Sequence, residues 1–245
     1  MSRFFVQGSF EKNEAVRIDG LSAHHIGNVL RMKPSQAIAL CDGQGTDYVC
    51  VIERFDGESV FVLVKEKMKT PTEPSVRISL FMAMPKADKL ETVVQKAVEL
   101  GVYEIIPFFS ERCVSRPDER SLGKKTERYS KISEEAAKQC NRGIIPKVLK
   151  AVGFTEMLQR AASFGLRLMA YEEERDISLK SALLKNGNFS DACIVIGSEG
   201  GFAPEEAAAA RSAGLTTVSL GPRILRCETA PVAMLSAIMY HTGNI

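Results

Sequence analysis

The sequence predicts an α/β protein in two parts: a small β-barrel or sandwich, then a larger domain on a mostly parallel sheet. Short β-rich runs separated by turn residues fill positions 1–70. The segment Thr70-Pro71-Thr72-Glu73-Pro74-Ser75 then interrupts the pattern, because paired prolines with small polar neighbours can neither continue a helix nor donate to a central strand. Beyond it, unbroken apolar runs alternate with helical periodicity, as in a parallel sheet covered on both faces. The expected division is 1–70, a linker at 71–75, and 76–245, which suits a chain of 245 residues.

In the first part, strands are expected at 3–6, 14–18 and 37–40, the last running into the turn Asp42-Gly43-Gln44-Gly45. Two further β-branched and aromatic runs, 48–54 and 59–65, flank Asp56-Gly57. One short helix is expected at 24–32, where Ile26, Val29 and Leu30 share a face. In the second part, 76–84 reads as a buried strand and 87–100 as a helix. Leu90, Val93, Val94, Ala97 and Val98 form its apolar stripe and Gly101 its C-cap. Strands at 103–109, 166–171, 192–197 and 217–221 then alternate with helices at 126–140, 155–164, 179–184, 204–213 and 229–241.

Composition excludes several classes. Hydrophobic residues at 45% and charged residues at 25% are those of a globular protein, not of a disordered or fibrous one. No apolar run reaches the roughly 18 residues of a membrane span, and the opening MSRFFVQGSFEKNE lacks the apolar core of a secretory leader. The expectation is a cytoplasmic protein with no membrane partner. Six scattered cysteines contain no C-x-x-C pair, and His24, His25 and His241 have no ligand spacing, so no metal site is expected. The thiols fit a reducing compartment.

The net charge of +2 identifies no partner. Between positions 111 and 150, however, eleven Lys/Arg face six Asp/Glu. Such an excess is either the footprint of a polyanion or a solvated helical face of mixed charge.

In open α/β sheets ligands bind beyond the carboxyl ends of the strands. Three such ends stand out: Ala170-Tyr171-Glu172, Gly197-Ser198-Glu199-Gly200-Gly201, and Leu220-Gly221-Pro222-Arg223-Ile224-Leu225-Arg226. The second has the glycines of a phosphate cradle but neither of the usual spacings. A carboxylate such as Glu199 about 4 Å from a phosphate would oppose it by roughly 4 kcal/mol at an effective dielectric of about 20. A phosphate-free nucleoside or a cationic ligand suits the turn better. The alternative is that the glycines serve strand–helix packing and Glu199 caps the next helix. In the third turn, Arg223 and Arg226 flank apolar Ile224 and Leu225, the mixture a nucleoside pocket needs. Each arginine could instead pair with Glu228. Thr229 is placed to cap the last helix, with Pro231 tolerated in its first turn. Cys227 reads as a small buried hydrophobe rather than a nucleophile.

The words KADKLETVVQKAVELGVYEIIPFFSERCV, KQCNRGIIPKV, IGSEGGFAPEE and LGPRILRCETAPVAMLSAI resemble the RsmE-type ribosomal RNA methyltransferases of the SPOUT superfamily. RFFV, LSAHHIGNVLRMK and CDGQGTDY resemble that family's N-terminal domain, so the resemblance spans nearly the whole chain. It implies a PUA-like β-barrel followed by an α/β domain with a C-terminal trefoil knot, a feature that periodicity alone would never indicate. It also implies a homodimer, S-adenosyl-L-methionine as cofactor, and methylation of N3 of one uridine in 16S (small-subunit) ribosomal RNA, free or within the 30S subunit.

By match to the motifs, the cofactor falls on Tyr171, Glu172, Gly197, Glu199, Gly200, Gly201, Leu220, Gly221, Arg223, Ile224, Leu225, Thr229 and Ala230. Arginine stays protonated, so Arg226 is cast as stabilising the uridine anion, with Glu199 as candidate base or as a holder of loop amides. RNA is expected to meet Arg3, Arg31, Arg112, Lys124, Lys125, Arg128 and Arg142. Two residues depart from the family pattern: Ser198 stands where proline is usual and Cys227 where threonine is usual. Either could loosen the cofactor loop. The residues also leave open a related enzyme acting on another RNA and a non-catalytic RNA-binding protein.

Overall fold

A computed structural model describes residues 1–245 and divides them into two compact units. The first comprises Met1–Glu73 together with Ala137–Ile145; the second comprises Pro74–Ala136 and Pro146–Ile245. The N-terminal unit is therefore discontinuous, unlike the simple 1–70 segment expected from the sequence. The reason is electrostatic. Glu73, inside the expected linker, receives Arg142 Nε at 3.1 Å and Nη2 at 2.8 Å, and the amides of Gly143 and Ile144 at 2.6 and 3.0 Å. A carboxylate with four donors is fixed in place, and it fixes the returning segment.

The N-terminal unit is a five-stranded mixed sheet in the order β1-β3-β4-β5-β2. Its strands are β1 (Arg3–Phe5), β2 (Ala15–Ile18), β3 (Ala37–Cys41), β4 (Thr46–Asp56) and β5 (Ser59–Lys69). β1 pairs with β3 in parallel, and the other neighbours are antiparallel. No ladder joins β1 to β2, so the expected barrel is a half-barrel. β4 runs two residues past each expected end, and β5 runs four past its C-terminal one. There the alternation of buried and exposed positions gives way to charged residues, and the ladder continues from backbone pairing alone. Its core packs Val16, Ile18, Ile38, Leu40, Tyr48, Ile52, Val60, Val62 and Val64 together with Ile26. The expected helix is α1 (Gly20–His24) running into a π-helical turn, His25–Val29, with Ile26 buried.

The second unit is a wholly parallel seven-stranded sheet. Its main path is β12-β10-β11-β6-β7-β8, with β9 also on β7. These strands are β6 (Arg77–Ala83), β7 (Glu104–Phe109), β8 (Lys147–Val148), β9 (Val152–Gly153), β10 (Leu166–Ala170), β11 (Asp191–Ile196) and β12 (Thr216–Val218). Central β6 and β11 are buried along almost their whole length, as their apolar runs require.

α2 (Lys89–Glu99) buries the five residues of its predicted stripe. It ends at Gly101, whose φ of +88° and close approach to Pro74 exclude a side chain. The remaining helices are α3 (Glu119–Gln139), α4 (Phe154–Ala161), α5 (Leu179–Asn186), α6 (Pro204–Ser212) and α7 (Thr229–His241). Thr229 is the first helical residue of α7 rather than its cap; Glu228 holds the cap position.

Candidate active site

The carboxyl ends of β10, β11 and β12 open onto one cleft of about 760 Å³ in the second unit. The three loops singled out in the sequence all line it. Ala170, Ile196, Leu220, Leu225 and Ala230 give it an apolar wall, while Lys89, Glu172, Arg175, Glu199, Arg223 and Arg226 bring charge to it. Of the expected cofactor residues, only Thr229 does not line the cleft; it sits exposed on the first turn of α7.

The turn after β11 is tight. Ser198 and Gly201 form an isolated antiparallel bridge, and Gly201 N–H donates to Ser198 O at 3.0 Å. Gly201 has φ +64°, and a Cβ there would fall on the Glu172 carboxylate. Glu172 accepts from Phe202 N–H at 3.3 Å, and Arg112 Nη1 donates to Gly200 O at 3.2 Å. The glycines thus permit a close approach that two charged side chains then secure.

Glu199 neither caps α6, whose N-cap is Ala203, nor stands free. It accepts from Lys86 N–H at 3.1 Å and from Lys89 Nζ at 2.8 Å. Burial pushes its pKa up, but the hydrogen bonds from Lys89 and from backbone amides outweigh this and hold it below the usual carboxylate range. The segment it grips includes Ala87, strained at φ +53°. Lys89 is the residue the sequence reading missed: its ammonium also reaches Glu228 Oε2 at 3.5 Å, and its pKa is raised chiefly by the bond to Glu199.

Glu228 is thereby taken by Lys89 and by the Cys227 thiol, which lies 3.2 Å away. It pairs with neither arginine of the loop. Arg223 and Arg226 are exposed at the cleft with no ion pair. Cys227 is buried, and desolvation together with its bond to Glu228 pushes its pKa to about 12, so it remains a thiol.

Behind the β10 loop, Glu174 is a second residue with no sequence signal. It is 8% exposed, accepts from Thr217 Oγ1 at 2.6 Å and from the amides of Asp176 and Ile177, and its pKa falls to about 2, mainly through the Thr217 bond. This anchors the loop that presents Tyr171, Glu172 and Arg175. Tyr171 itself is buried beneath the Arg211 guanidinium and donates to Glu173 Oε2 at 2.9 Å.

The expected RNA residues divide sharply. Arg3 is half-buried and engaged by Asp47, Thr70 and the Asn141 carbonyl, and Arg142 is 3% exposed on Glu73. Both are structural and are withdrawn from the RNA surface. Arg31, Lys124 and Arg128 are exposed and Lys125 is half-buried. Arg128 carries a surface pair with Glu91 at 2.7 Å. Arg112 is spent on the Gly200 turn. No cluster of His, Cys, Asp or Glu could hold a metal ion.

An RNA methyltransferase domain model matches residues 72–239, and an RNA methyltransferase PUA domain model matches residues 18–65. The chain is 36% identical to the ribosomal RNA small subunit methyltransferase E of Bacillus subtilis, over 99% of this chain and 97% of that one. A crystal structure of the Neisseria gonorrhoeae ribosomal RNA small subunit methyltransferase E bound to S-adenosyl methionine superposes with a TM-score of 0.84 at 29% identity, covering 98% and 97% of the two chains. A putative methyltransferase from Legionella pneumophila, in complex with the same cofactor, gives 0.80 at 29% identity, covering 97% and 96%. The chain belongs to the RNA methyltransferase family that includes ribosomal RNA small subunit methyltransferase E.

Proposed function

We propose that this chain transfers a methyl group from S-adenosyl-L-methionine to N3 of one uridine in 16S ribosomal RNA. The observation that carries the reading is the pair of unpaired guanidinium groups, Arg223 and Arg226, on the rim of an apolar cleft of nucleoside size. Relatives named as small-subunit ribosomal RNA methyltransferases, with solved structures holding the cofactor, support it. The residues present fit such a ligand. The three loops supply apolar walls and backbone groups for a neutral nucleoside, and the buried Ser198 hydroxyl stands without a partner there. Bound S-adenosylmethionine supplies an electrophilic methyl on a positively charged sulfur.

The rest falls to the protein. Uridine N3 must give up its proton before its lone pair can take the methyl, and the charge then spreads to O2 and O4. Arg226, an unpaired guanidinium lining the cleft, takes the part of stabilising that anion, since a preformed donor acts where charge develops. For Glu199 the geometry favours holding over proton abstraction: a carboxylate already engaged by Lys89 and the Lys86 amide, with a lowered pKa, is a poor base. Glu199→Gln should therefore weaken cofactor binding and methyl transfer together. Loss of transfer with unchanged cofactor affinity would restore Glu199 as the base.

The proposal extends to the substrate and the assembly. Lys124, Lys125 and Arg128 on α3, with Arg31, remain as the RNA surface. α7 leaves Val232, Ala233, Ser236 and Ala237 half-buried and Tyr240 77% exposed, an apolar face that a second copy would cover in the expected homodimer. The C-terminal trefoil knot belongs to the same reading. So does a cytoplasmic site of action, in keeping with six free cysteines and with no helix long and apolar enough to cross a membrane.

The direct test incubates the protein with S-adenosylmethionine and either naked small-subunit RNA or 30S subunits, followed by mass spectrometry of the nucleosides. A methyl on uridine N3 is expected. Methyl on another nucleoside would move the substrate. Cofactor binding without any transfer would point to an unreactive RNA-binding relative.

A further inference from the structure

Ser198 is the one buried site residue whose side-chain polar group is left over. It is 6% exposed and lines the cleft, yet its Oγ has no hydrogen-bond partner. The turn around it is otherwise satisfied, with its carbonyl accepting from Gly201 N–H. The nearby charges are also engaged: Lys89 pairs with Glu199 at 2.8 Å, and the Cys227 thiol reaches Glu228. A buried hydroxyl without a partner costs stability, and native proteins keep such groups where something else completes them.

We infer that the Ser198 hydroxyl is a cofactor contact, hydrogen-bonding the uncharged nucleoside half of S-adenosylmethionine. This rests on the reading of the cleft as the site of that cofactor. The choice of half follows from the surroundings. Ile196, Leu220, Leu225 and Ala230 make the wall apolar, and the one charge beside Ser198, Glu199, is already neutralised by Lys89. Seating a carboxylate or ammonium against an apolar wall and one neutral hydroxyl is costly. A purine or ribose group offers neutral donors and acceptors that a hydroxyl, able to give and to take, satisfies in either sense. Ser198 would then add a bond that a proline at this position could not form.

The test compares wild type with Ser198→Ala by calorimetry, using S-adenosylmethionine and 5′-methylthioadenosine, which keeps the nucleoside and lacks the amino-acid end. Melting of the ligand-free proteins runs alongside. One neutral hydrogen bond corresponds to about a tenfold loss of affinity, and the same factor is expected for both ligands. The ligand-free variant should melt no lower than wild type, since the deleted hydroxyl had no partner. Ser198→Cys, which restores a weak donor, should fall between the two.

Equal affinity of wild type and Ser198→Ala would overturn the inference. So would a loss confined to S-adenosylmethionine, which would assign the hydroxyl to the amino-acid end. A lowered melting point in the ligand-free variant would make the role structural. Wild type failing to bind S-adenosylmethionine at all is a different result: it would remove the reading of the cleft itself.

Discussion

Arg142 and Arg226 are the same residue type in opposite circumstances. Arg142 lies buried in the N-terminal unit with a bidentate grip on Glu73, and half-buried Arg3 in the same unit pairs with Asp47. Arg226 and its neighbour Arg223 stand exposed at the cleft, because the one carboxylate close in sequence, Glu228, is occupied by Lys89 and Cys227. Positive charge along the sequence does not distinguish the two pairs. What does is whether a carboxylate is within reach in the fold. A guanidinium that is already neutralised supports the structure, and one left unpaired is available to a substrate.

The contrast can be broken at its strongest point first. Arg142→Ala leaves the Glu73 carboxylate, 15% exposed, facing two fewer charge-assisted bonds. Breaking such a buried pair should cost about 3–5 kcal/mol of stability, read as a large fall in the denaturation midpoint. A fall below about 1 kcal/mol, the level of surface pairs, would show that Arg142 is not a structural arginine. Arg226→Ala should do the reverse. Methyl transfer should drop by roughly 10²–10³, as when a charge-stabilising donor is removed, with the melting temperature unchanged. Loss of stability alongside activity would erase the distinction.

The smallest effect concerns the surface. Lys124→Ala combined with Lys125→Ala should weaken RNA binding without altering stability or cofactor affinity. The slope of log affinity against log salt should also become shallower by about 1 to 2. An unchanged slope would leave α3 as a solvated face of mixed charge.

Much of this was legible in the sequence. The cleft loops could be located because glycine and proline punctuate the ends of apolar strands, and the buried stripe of α2 and both bounds of α7 follow from local periodicity. β8 and β9 were not legible: each is two residues long, shorter than any repeat that could announce it, and exists only by pairing with β7. α3 begins seven residues before its expected start because its first two turns, apart from Leu122, are charged or small and show no stripe. The part played by Lys89 and the Lys86 amide depends on Glu199, which lies 113 residues beyond Lys86. Arg142 looked like an RNA residue because its partner sits 69 positions away in a segment that read as a linker. Long-range pairing decides a charged residue's role, and pairing is what composition cannot carry.

The return of Ala137–Ile145 to the N-terminal unit has a consequence for how this protein can be taken apart. A fragment ending at Glu73 would keep an acidic side chain whose four donors had been left behind on the other piece. The half-barrel is thus no detachable module at the head of the chain. Exchanging it with a relative would mean transplanting two stretches of sequence at once, and evolutionary shuffling faces the same requirement.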